Sequence, residues 1–198
     1  MGPEWPWVAA ELLAFAAWSE RPFRERFRWP HMPDWVVDPR VNVPRYEAYL
    51  VDAHLFERIP RLSAAAVEIA FLDVAAFGAW NTDHGQAAGD ELLALLTAQL
   101  RTVSASRTIR DGGDEFLVVG APLATGLEDR LRALFARWPE VSRATYPELP
   151  VVPLRCAVTV TRADRLRETR EALGRWIGEV KHDHPEPAPE GIVVRYPR

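Results

Sequence analysis

Two acidic residues stand where a folded chain can bring carboxylates together. Asp73 comes near the end of the apolar run Ala66–Val74, and Asp114 follows the pair Gly112-Gly113. The apolar run reads as a strand, and the glycines as a tight turn between two more strands. If these strands are neighbours, both carboxylates reach one edge of a sheet. Two carboxylates plus substrate phosphates suit Mg²⁺ (or Mn²⁺), which takes hard oxygen ligands and keeps some of its water. Phosphoryl transfer at such a place works mainly by positioning and by metal neutralisation of charge. Gly112 and Gly113 let the backbone turn sharply and come close to a ligand. Each part alone is common, since strands often end in Asp and a Gly-Gly-Asp turn is often only a turn. Their spacing is what joins them.

These residues need a sheet to position them. Residues 46–60 read as a helix and 66–74 as a central strand. A short helix over 76–83 and a strong one over 87–103 follow, the second burying Leu92, Leu93, Leu95, Leu96 and Leu100. Residues 106–110 and 115–119 read as a hairpin around Asp111-Gly112-Gly113. A helix over 127–138, a strand over 151–161 and a helix over 165–180 come next. A loop over 185–189 and a last strand over 191–196 complete the series. This alternation predicts a layered α/β or α+β domain with helices packed on a sheet. His182 and His184 fall in a loop on this reading, as solvated side chains and not metal ligands.

Residues 1–45 differ in character. They carry Trp5, Trp7, Trp18, Trp29 and Trp35, interleaved with seven prolines. A short helix over 7–19 is expected, then extended or looped chain. Two readings fit: a wrap on the domain's own core, or a surface for dimerisation or a protein partner. The 198 residues are 48 % hydrophobic and 26 % charged, enough apolar material for a core. A net charge of −4 argues against a strongly basic nucleic-acid surface. Cys156 is the single cysteine, so no disulfide forms within the chain and a reducing compartment fits. The run Trp7–Trp18 is shorter than the roughly 20 residues of a span, contains Glu11 and lacks a basic leader. The expectation is a cytoplasmic protein with no membrane span.

The stretch from Phe71 through Asp73, Phe77, Asn81, Gly85, Gly89 and Asp90 to Leu93, with Arg110-Asp-Gly-Gly-Asp-Glu-Phe116, resembles the GGDEF family of diguanylate cyclases. The likeness covers roughly residues 46–196, with residues 1–45 as an extension and 46–198 as the domain. It implies a palm-like α/β sandwich, a central and mostly antiparallel sheet flanked by helices. It also implies condensation of two GTP into cyclic di-GMP across a homodimer, each subunit holding one GTP. Asp73, the Val74 carbonyl and Asp114 would then hold metal. Glu115 would assist at the metal or help deprotonate the attacking 3′-hydroxyl. Asn81 and Asp90 would read guanine, Asn offering donor and acceptor and the carboxylate accepting paired donors. Leu93 would pack on the base. Phe77 and its neighbours would bring backbone N–H groups to the triphosphate, with Gly112 and Gly113 close to it. Lys181 would bind phosphate as a point charge. Structural readings stand beside these: Asn81 as a helix cap, Asp90 as an acid favoured at a helix N-terminus, Lys181 as a cation offsetting a helix dipole.

The chain departs from the family pattern at Ala75, where a second Asp is usual, and at Gly78, where Lys is usual. Gln86 replaces a common His, Thr82 an Asp, and Pro185 the Arg expected four residues after Lys181. The opening signature is not recognisable, residues 45–62 standing in its place. Val103–Ser106 occupies the position of the usual product-inhibition motif. Lost cations leave Arg195 as a candidate substitute. Three functions follow: an active divergent cyclase, a catalytically silent domain that binds GTP or cyclic di-GMP as a signalling module, or a palm relative making another cyclic nucleotide.

Overall fold

A computed structural model describes residues 37–38, 40, 43–44, 64–103 and 107–196. The expectations for residues 1–36, for a helix over 46–60 and for the inhibition motif at 104–106 lie outside the described residues. Strand β1 (Val37–Asp38) pairs antiparallel with β2 (Val43–Pro44). Then come β3 (Ala66–Val74), α1 (Phe77–His84), α2 (Gln86–Val103), β4 (Arg107–Arg110) and β5 (Glu115–Gly120). They are followed by α3 (Leu127–Thr145), β6 (Leu154–Arg162), a 3₁₀ turn at Ala163–Arg165, α4 (Leu166–Asp183) and β7 (Ile192–Arg195). One five-stranded sheet runs in the order β4-β5-β3-β6-β7. Its pairings are antiparallel except β6 with β7, which is parallel. The expected α+β sandwich with a mostly antiparallel sheet is what forms.

Alternation along β3 divides the core. Ala70, Leu72 and Val74 face a cluster that includes Leu92, Leu93, Leu96 and Leu100 of α2 and Leu131, Leu134 and Trp138 of α3. Ile69 and Phe71 face Leu166, Leu173 and Ile177 of α4. Each sheet face is thus closed by helices, and β3, central in the sheet, is apolar on both. Asp73 continues the series of Ile69 and Phe71, which sends its side chain to the α4 face. Val43 of β2 joins the first cluster at 1 % exposure. Cys156 is fully buried beneath the same face, and burial pushes its thiol well above the ordinary range.

Three boundaries differ from the sequence reading by three residues or more. Helix α3 passes through Pro139 and continues to Thr145 instead of stopping at Trp138. Proline there forfeits one backbone N–H bond, but its ring is buried and the helix remains packed on the core. Strand β6 starts at Leu154 and not at Val151. Carbonyls of the preceding residues are used elsewhere: that of Val152 accepts from Trp138 Nε1 at 2.8 Å, and that of Pro153 from the Ala75 N–H at 2.9 Å. Helix α4 runs to Asp183, so His182 lies on the helix and not in a loop. Leu95 is half-buried, at the margin of the α2 face. No described helix is long and apolar enough to cross a membrane.

Candidate functional site

The pairing of β3 with β5 sets Asp73 opposite Glu115, and the Val74 N–H donates to the Asp114 carbonyl at 3.3 Å. The two acids singled out in the sequence therefore share one end of the sheet. Pairing of β3 with β6 sets Arg155 on the other side of Asp73. Arg155 Nη1 donates to Asp73 Oδ2 at 3.2 Å, and Lys181 Nζ, from the last turn of α4, lies 2.8 Å from Asp73 Oδ1. Lys181 is also 3.8 Å from Glu115 Oε1. Burial raises the Asp114 carboxyl above its usual range, and the charge of Asp73 adds to this while Lys181 opposes it. Burial likewise raises Glu115, against the pull of Lys181.

The hairpin tip is held from two sides. Asp111 and Gly112 N–H groups donate to the Glu115 carbonyl at 2.9 and 3.3 Å. Arg110 Nε donates to the Gly112 carbonyl at 3.1 Å, and its Nη2 to the Gly113 carbonyl. Arg170 of α4 grips both carboxylate oxygens of Asp111. Neither Gly112 nor Gly113 adopts a positive φ. The turn is thus made without a left-handed residue at either position. What distinguishes Gly113 is space: a Cβ there would meet nothing within 4 Å.

Helix α1 starts directly after β3 through Ala75 and Ala76. Ala76 has φ 54°, a left-handed conformation that costs a residue with a Cβ roughly 1–2 kcal/mol. Phe77 begins the helix, stacks at 6.4 Å with Trp80, and is buried. Asn81 lies on the next turn of α1, packed against α2. A Cβ on Gly89 would lie 1.8 Å from Asn81 Oδ1, so Gly89 is what lets the Asn81 side chain pack against α2. Asn81 Oδ1 is buried without a hydrogen-bond partner, a state that costs free energy until a donor arrives. Asp90 Oδ1 is 3.5 Å from Arg40 Nη1. Leu93 is fully buried in the core; packing on a base needs a surface that this side chain does not expose.

Arg195 does not join this end. It pairs with Val158, three positions up β7 from the Ile192–Arg155 pair, and bonds Glu128 Oε2 at 2.7 Å. Sequence reasoning missed Arg155, although an arginine inside an apolar strand is a signal, because buried arginines are rare unless paired. It also missed Asp38, fully buried and 2.8 Å from Arg110 Nη1. Among the described residues no three His, Cys, Asp or Glu side chains converge as a metal-binding group. Two carboxylates and a carbonyl are an incomplete set for Mg²⁺ by themselves. They fit an ion that draws its other ligands from water and phosphate. Desolvated Asp114, repelled by Asp73, is a place where a cation is favoured.

No family model and no curated protein matches the chain. Solved structures do. The coiled coil and GGDEF domain of DgcB from Caulobacter crescentus, in complex with c-di-GMP, matches with a TM-score of 0.69 at 17 % identity, covering 96 % of this chain and 99 % of that one. Diguanylate cyclase SiaD in complex with its activator SiaC, from Pseudomonas aeruginosa, gives 0.65 at 17 %, covering 96 % and 67 %. The active GGEEF domain of a diguanylate cyclase from Vibrio cholerae gives 0.57 at 19 %, covering 78 % and 97 %. The chain therefore has the fold of a GGDEF domain, reached by a divergent sequence.

Proposed function

We propose that this chain is a diguanylate cyclase, condensing two GTP into cyclic di-GMP between two facing copies in the cytoplasm. The observation that carries this reading is the meeting of Asp73, Asp114, Glu115 and Lys181 at one end of the sheet. The likeness to an active cyclase of the same fold supports it. Asp73, Asp114 and the Val74 carbonyl would hold Mg²⁺ or Mn²⁺, which when bound neutralises triphosphate charge. Phe77 and its neighbours offer N–H groups at the start of α1, and Gly113 leaves room at the turn. Lys181 provides a cation for phosphate. Asn81, with its unpartnered oxygen, and Asp90 receive the guanine edge. Glu115, whose carboxyl is raised towards neutrality, is suited to take the proton of a 3′-hydroxyl. Each of two steps forms a 3′-O–Pα bond and breaks a Pα–O–Pβ bond, releasing pyrophosphate.

A second reading, a silent domain that binds GTP or cyclic di-GMP, is favoured by one feature. Gly78 and Pro185 stand where the family carries cations, and each lost charge-assisted contact is worth about 1.5–3 kcal/mol. A role for residues 1–45 with a protein partner belongs to either reading. Incubation of the purified protein with GTP and Mg²⁺ or Mn²⁺, followed by mass analysis, separates them. Cyclic di-GMP that disappears in Asp114→Ala, with the fold intact, is the expected result. GTP binding without product would establish the silent domain instead.

A further inference from the structure

Asp73 has two carboxylate oxygens, and each is held by a different kind of cation. Arg155 holds Oδ2 from within the protein: its side chain is 5 % exposed, and its Nε and Nη2 donate to the His184 and Pro185 carbonyls. Withdrawing that guanidinium would strand a buried charge and several acceptors at once, so Arg155 is a fixed partner. Lys181 holds Oδ1 from outside. Its side chain is 42 % exposed and ends in a compact ammonium on a flexible stem. The Pro185 carbonyl that Arg155 grips belongs to the residue standing where the family carries its arginine. The cation at this corner thus comes from β6, directed at the acid and not at solvent.

We infer, resting on the metal-binding role proposed above, that Lys181 is a resident counterion occupying the metal-facing oxygen of Asp73 until a metal–nucleotide complex displaces it. An ammonium and a divalent ion compete for the same oxygen. Without nucleotide, the displaced Lys181 keeps Glu115, 3.8 Å away, as its other ion-pair partner among the described residues. With nucleotide, a triphosphate gives Lys181 a new anion as the metal takes Oδ1, and phosphate oxygens complete a donor set too small on its own. Bare metal is therefore bound poorly, and metal with GTP binds as one unit. Arg155 is a positioning residue in this exchange: it keeps the carboxylate oriented while its other oxygen changes partner.

Mn²⁺ alone, titrated into nucleotide-free protein and followed by the EPR signal of the free ion, tests the exchange. Lys181→Met should bind Mn²⁺ on the order of tenfold more tightly than the unsubstituted chain, the effect of removing one charge-assisted competitor. The same variant should bind Mn²⁺ with a non-hydrolysable GTP analogue more weakly. Arg155→Lys, which keeps charge but loses the fork, should lose Mn²⁺ affinity in both conditions, and a melting curve checks its fold. Equal or weaker bare-metal binding by Lys181→Met, with the Mn²⁺ signal still dependent on Asp114, overturns the counterion role and leaves the proposed function standing. Absence of Mn²⁺ binding in every protein, with and without the analogue, overturns the metal reading and this inference with it.

Discussion

Replacing Asp114 by Asn should stabilise the nucleotide-free protein while abolishing metal-dependent turnover. Its carboxyl is raised by burial and by the neighbouring charge of Asp73. A group raised on folding contributes stability below its unfolded pKa and loses that contribution as pH rises through the folded value. At neutral pH the Asp114 carboxyl is therefore a net burden on the fold. A gain of about 2–4 °C in melting temperature, the equivalent of roughly 1 kcal/mol in a domain of this size, is expected at pH 7. It should shrink as the pH is lowered and Asp114 takes up its proton. A variant melting below the unsubstituted chain would mean that Asp114 is a structural ligand of the hairpin and not a strained functional acid. Asn81 tells the same story in a neutral group: its buried oxygen lacks a partner, and Gly89 gives up a side chain to make room for it.

At the scale of elements, the hairpin tip depends on a clamp between β1 and β4. Asp38 is fully buried against Arg110, which also holds the Gly112 and Gly113 carbonyls. Removing one partner of a buried pair costs about 3–5 kcal/mol, because the other charge is left uncompensated. Asp38→Asn should therefore melt well below the unsubstituted chain at pH 7. Burial works to raise the Asp38 carboxyl, but hydrogen bonds from Arg40 and the charge of Arg110 outweigh it and hold it below its usual value. Its stabilisation is present above the ordinary carboxylate range and lost as pH falls through the lowered value. Melting curves from pH 7 to pH 3 should show the two proteins converging in acid; parallel curves would remove Asp38 from the clamp. This clamp was not legible in the sequence. The partners lie 72 positions apart, and Asp38 sits among prolines that read as extension. Arg155 was hidden for the same reason, 82 positions from Asp73 and joined to it only by the β3–β6 register. What alternation and turn chemistry encode locally was readable: β3, the Gly-Gly hairpin, and helix α2. Pro139 misled because burial of α3 overrides the local penalty of a proline.

Among the described residues, the proposed site residues gather at one end of the five-stranded sheet. Asp73 lies near the end of β3, Asp114 at the turn before β5, and Lys181 in the last turn of α4, while α1 leads away from the same end of β3. The opposite end, where β3 begins and β6 finishes, holds none of the residues assigned to nucleotide. Asn81 and Asp90 are the residues proposed to receive guanine, and together they suit one GTP per chain. The proposed product contains two guanosines, so each new bond must join nucleotides held by separate chains. Under dilute conditions, with chains mostly apart, the rate of product formation should then rise with the square of protein concentration. It should become linear once chains are mostly paired. Measuring initial rates over a hundredfold dilution, with sedimentation to report the mass at each concentration, tests this directly. A linear rate from a species of monomer mass would mean that one chain completes the reaction alone. The one-site reading of the sheet end would then be wrong, however well the individual residues fit.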